Sequence, residues 1–69
     1  MNYFQVIFDN LINGNLLDAQ RMSKRITLQK IVDSAQEMGY EYNRALLMGC
    51  YLKGKISFQD YCDNNNNTK

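Results

Sequence analysis

The residues of this 69-residue chain that could do chemistry are two cysteines and seven carboxylates, with no histidine beside them. Cys50 and Cys62 stand 12 residues apart. Two thiols without further ligands fall short of any zinc pattern, and without an imidazole neither has the base that would make it a nucleophile. Cys50 lies in an apolar stretch and reads as a small core residue, whereas Cys62 follows Tyr61 near the end and reads as exposed. The carboxylates occur singly, and only Asp60 and Asp63 share the helical i, i+3 spacing, which capping and solvation explain. The four glycines, Gly14, Gly39, Gly49 and Gly54, are too far apart for a phosphate-cradling loop. These residue types offer no acid-base pair, no metal set and no cofactor loop. A non-enzymatic protein without a cofactor is expected.

What remains is chemistry of contact. Eight Lys and Arg against seven Asp and Glu give a formal charge of +1, too little for a long-range field that draws in polyanions. Locally, Arg21, Lys24 and Arg25 project from one side of a helix and form an electropositive patch. Tyr40, Tyr42, Asn43 and Arg44 precede a run, residues 45–52, in which every residue is apolar, Gly or Tyr. Tyrosines are enriched at binding hot spots, so Tyr40, Tyr42, Asn43 and Arg44, with Leu47 in the run itself, are the candidate partner-binding residues.

The elements that must position these residues are helices. There are no prolines, and the β-branched residues are scattered singly rather than alternating. Over residues 2–12, Phe4, Ile7, Phe8 and Leu11 mark one helical face, closed by Asn13 and Gly14. Asn15 stands as a cap for a second helix in which Leu16, Ala19, Met22 and Ile26 fall within about a third of the circumference. Thr27 caps a third, with Leu28, Ile31, Val32, Ala35 and Met38 as its stripe and Gly39 as its stop. Asn43 is the expected cap of the fourth helix, and Gly54 its end. A helix apolar all round must be covered, by the rest of a small core or by another chain. Ser57 and Asp60 then predict a short helical turn over 58–62, folded back by Phe58 and Tyr61. Residues 64–69, Asn-rich and without apolar side chains, are expected to be a disordered tail.

The expected architecture is therefore all-α: a single domain over residues 1–63, a compact bundle of four short helices with a C-terminal helical turn. No run approaches the roughly 18 to 20 apolar residues of a spanning helix, and Met1 is not followed by a signal sequence, so a cytoplasmic location without membrane contact is expected. A core this small leaves only about 3 to 5 kcal/mol of net stability, which makes association, including a homodimer, a reasonable expectation.

Two resemblances bear on function. Ala35, Gly39, Ala45 and Met48 resemble, in type and spacing, the small residue, turn glycine and buried positions of the helix-turn-helix family. That resemblance implies a nucleic-acid partner read by the second helix. Its outward positions are Glu41, Tyr42, Asn43, Leu46, Leu47 and Cys50, and the last three cannot make the bidentate contacts that specify bases. The pattern FDNLINGNLLDAQRMSKR, EMGYEYNRAL and YLKGKISFQDYCD resembles the small accessory proteins of phages and other mobile elements of low-GC bacteria. It implies an inhibitor that binds a host protein or nucleoprotein machine, of the anti-CRISPR or another anti-defence type, in a bacterial host's cytoplasm. A helix-turn-helix regulator of a phage or plasmid operon is the alternative.

Overall fold

In the computed structural model, which describes residues 2–67, the chain forms five helices: α1 (Tyr3–Ile12), α2 (Leu16–Ser23), α3 (Leu28–Glu37), α4 (Tyr42–Leu52) and α5 (Phe58–Asn67). The all-α architecture is as expected, and no helix among the described residues is long and apolar enough to cross a membrane. The helix starts are chemically marked. The Asn2 side chain accepts from the Phe4 N–H at 2.9 Å, Thr27 from the Lys30 N–H at 3.3 Å, and Ser57 from the Asp60 N–H at 3.0 Å. Each satisfies a donor that the first helical turn leaves without a carbonyl.

Two starts differ from expectation. Asn15 holds the cap position of α2 but makes no capping bond, its side-chain amide donating instead to Asn10 Oδ1 at 3.4 Å. Helix α4 begins two residues early, with Glu41 as its cap, so Asn43 lies within its first turn. The cause is the closure of α3. Gly39 takes a φ of +102°, which lets the Tyr40 N–H reach back to the Ala35 carbonyl at 3.1 Å. Tyr40 then packs on Phe8, ring centroids 6.2 Å apart, and only Glu41 separates it from the next helix.

The core is assembled from Ile7, Phe8 and Leu11 of α1, Ala19 of α2, Ile31, Val32 and Ala35 of α3, and Ala45, Met48, Tyr51 and Leu52 of α4. Met38, expected on the α3 stripe, caps that helix and is exposed, because the chain has already turned away. Helix α2 stops at Ser23, leaving Ile26 half-buried and Arg25 in the connection. Ser23 is fully buried, and its hydroxyl donates to the Ala19 carbonyl at 2.7 Å, the bond that makes burial of the hydroxyl tolerable. Helices α3 and α4 meet at Gly49, where a Cβ would lie 2.7 Å from Leu28 Cδ1. Glycine there leaves room for the Leu28 side chain.

The C-terminal turn is longer than expected. Ser57 starts it, but the backbone remains helical to Asn67, and the Asn64 side-chain amide donates to the Asp60 carbonyl at 2.8 Å. Once a capped first turn exists, each further residue adds a bond at little cost. The break expected after residue 63 has no counterpart in the backbone, and Thr68 and Lys69 lie outside the described residues.

Candidate partner-binding groove

Helix α4 turns Ala45, Met48, Gly49 and Leu52 into the core, and its next 100° of surface carries Leu46, Leu47 and Cys50, all half-buried. These three, with Asn43, Ile56 and Asn64, line an apolar groove of about 310 Å³ between α4 and the start and flank of α5. Helices α1 to α3 therefore cover only the inner side of α4. Cover on the outer side comes in part from α5, which docks through one aromatic group: Tyr51 stacks on Tyr61 at 5.4 Å and meets Phe58 edge-on at 5.6 Å.

Of the expected partner-binding residues, Asn43 and Leu47 line this groove. Tyr42, 54% exposed, and Arg44, also exposed, flank it at one helical step to either side of Asn43. Tyr40 does not join them. Its ring is half-buried against Phe8 and borders a separate depression with Gln5, Asp9 and Met38, so it serves the turn and the core. Cys50, expected in the core, belongs to the groove, since one step along the helix from buried Gly49 rotates it 100° outward. Cys62, expected exposed, is half-buried at α5. Burial, then Cys62, then Tyr61 push the Tyr51 phenol above its usual 10.0, so it stays protonated at neutral pH.

The electropositive patch lies elsewhere. Arg21, Lys24 and Arg25 are exposed around the C-terminal end of α2, and that end is held by Lys53, whose ammonium donates to the Ser23 and Lys24 carbonyls at 3.2 and 3.0 Å. Lys53 follows the last residue of α4, whereas Tyr42, Asn43 and Arg44 occupy its first turn. Eleven residues at 1.5 Å each separate the two groups by about 16 Å, so they do not share one surface.

Sequence reasoning missed Ile56, Asn64 and the clamp made by Lys53. Ile56 is a lone apolar residue between Lys55 and Ser57, and no periodicity marks it. For Asn64 a signal existed, the i, i+4 spacing from Asp60 in a helix already capped at Ser57. Among the described residues no three of Cys, Asp or Glu converge to hold a metal ion. The groove has an apolar floor and amide-bearing rims, which can bind an apolar surface and orient it. In comparisons with known proteins the chain matches no family model, no curated protein and no solved structure.

Proposed function

We propose that the chain is a small non-enzymatic interaction protein that works by seating a protein partner on the outer face of α4. One observation carries this: Leu46, Leu47 and Cys50 form an open apolar groove, flanked by Asn43, Tyr42 and Arg44, that the protein's own helices leave uncovered. A half-buried apolar strip with polar and aromatic flanks has the anatomy of an interface centre and its rim. The partner's class in this proposal, a host protein or nucleoprotein machine that the chain inhibits in the bacterial cytoplasm, rests on the resemblance to phage accessory proteins. Self-association through the same face would give a homodimer.

Leu47→Asp tests the reading. The expected result is a folded variant, with helical circular dichroism and cooperative melting, that loses both self-association in sedimentation and the stoichiometric capture of a protein from nuclease-treated host lysate. A Leu47→Asp variant that keeps both overturns it.

The helix-turn-helix reading has its own support, because Ala35, Ala45 and Met48 are buried and Gly39 makes the turn. The helix that would enter the major groove, however, presents leucines and cysteine. That reading predicts sequence-dependent duplex binding lost on Arg44→Ala, at the first turn of α4.

A further inference from the structure

The charge of +1 conceals a separation of charge. Between Asp18 and Asp33, and again between Glu41 and Asp60, the chain contains no acid. Those two acid-free segments hold seven of the eight Lys and Arg residues: Arg21, Lys24, Arg25 and Lys30 in the first, Arg44, Lys53 and Lys55 in the second. The fold joins them at one point. Lys53, at the end of α4, donates to the last carbonyls of α2, which brings Arg21, Lys24 and Arg25 to the same end of the molecule as Lys55, two residues beyond Lys53. Arg21, Lys24, Arg25 and Lys55 are all exposed. Lys30 is not part of the group, since it borders a mixed depression with Asp33 and Glu37, and Arg44 sits at the opposite end of α4.

We infer that this end of the molecule binds the phosphodiester backbone of a nucleic acid, through Arg21, Lys24, Arg25 and Lys55, independently of the α4 groove. Three features suit this end of the molecule to phosphate oxygens. Two of the four cations are arginines, whose planar forks match phosphate oxygens in pairs. Lys53 neutralises the negative pole at the end of α2, while the first turn of α3, opening at Thr27, presents its positive pole beside Arg25. The nearest acids along the chain, Asp18 and Asp60, stand in the first turns of α2 and α5; Asp18, one turn before Arg21, offsets part of that residue's charge, and Lys24, Arg25 and Lys55 have no acid within four residues. Lys53 is a positioning residue: its ammonium is already engaged by two carbonyls, and it sets the other four in place.

Backbone binding of this kind is read in its salt dependence. With four phosphates neutralised, log K should fall against log salt with a slope of about −3.6 on duplex and about −2.8 on single strand. The experiment is a fluorescence-anisotropy titration of the full chain with random-sequence duplex and single-stranded oligonucleotides at about 50 to 200 mM salt. Poly-glutamate of matched charge serves as the competing polyanion. Lys24→Ala and Arg25→Ala, both at exposed positions, are each expected to reduce the slope by about 1 with the melting temperature unchanged, and Arg44→Ala to leave it as it was. Binding to either oligonucleotide with these slopes supports the proposal, and the two probes decide which form is preferred. No binding at the lowest salt, slopes unmoved by Lys24→Ala and Arg25→Ala, equal affinity for poly-glutamate, or loss on Arg44→Ala would each overturn it. The Leu47→Asp variant is expected to bind as the native chain does, so failure here leaves the groove's role to be decided on its own.

Discussion

The inner and outer faces of α4 are built from the same residue types and behave differently. Inside, Ala45, Met48, Gly49 and Leu52 are buried, α4 packing chiefly on α3 and, less, on α2, close enough at Gly49 that a methyl group would meet Leu28. Outside, Leu46, Leu47 and Cys50 have similar hydropathy but only α5 and Ile56 beside them, and they remain half-exposed in a groove. Apolar character thus marks what must be covered without saying by what. The difference between the faces lies in neighbours, and in a chain this short there are not enough helices to surround α4.

The comparison can be broken most sharply by truncating one side chain on each face. Met48→Ala should cost about 2 to 5 kcal/mol, comparable with the whole stability of such a domain, and leave the chain largely unfolded in urea titrations. Leu47→Ala should cost about 1 kcal/mol or less, because that side chain is already half in water. Equal losses would mean that the outer face is core after all.

A smaller effect is expected at the end of α4, where the faces meet α2. Lys53→Met keeps the apolar stem but removes the ammonium from the Ser23 and Lys24 carbonyls, and should cost about 1 kcal/mol. For a domain of this size that lowers the melting temperature by roughly 4 to 8 °C. The smallest effect is in alkali. The Tyr51 phenol, raised by burial and by Cys62 and Tyr61, holds its proton more tightly in the folded chain. The stability this contributes is fully present below the unfolded value of 10.0 and lost as pH rises past it. Tyr51→Phe should therefore unfold less steeply with pH above that value, as followed by circular dichroism.

What was legible in the sequence was what short-range chemistry decides. The Thr27 cap, the Gly39 stop, the α3 stripe from Leu28 to Ala35 and the Ser57 cap all depend on residues within one turn of each other, and all stand in the fold. The start of α4 lies two residues before the expected one because Tyr40 packs on Phe8, a contact 32 positions away in the chain. Of the groove's lining, the α4 residues were legible and Ile56 and Asn64 were not, nor was the way the candidate residues divide between surfaces. Asn43 and Leu47 share a groove, Tyr40 leaves it for the core, and the Arg21, Lys24, Arg25 patch lies a helix length away. Only the crossing of α2 against α4 decides that, and no local pattern encodes it.

The neighbour-to-neighbour packing of these helices has a kinetic consequence. Helix α1 lies mainly on α2, α3 on α4, and α4 on α5, so most contacts close short loops. Chains dominated by such contacts search little conformational space and fold in microseconds to milliseconds. Here the slow event would be the docking of the first hairpin of helices onto the second, the step in which the Lys53 ammonium finds the end of α2 across some thirty residues of chain.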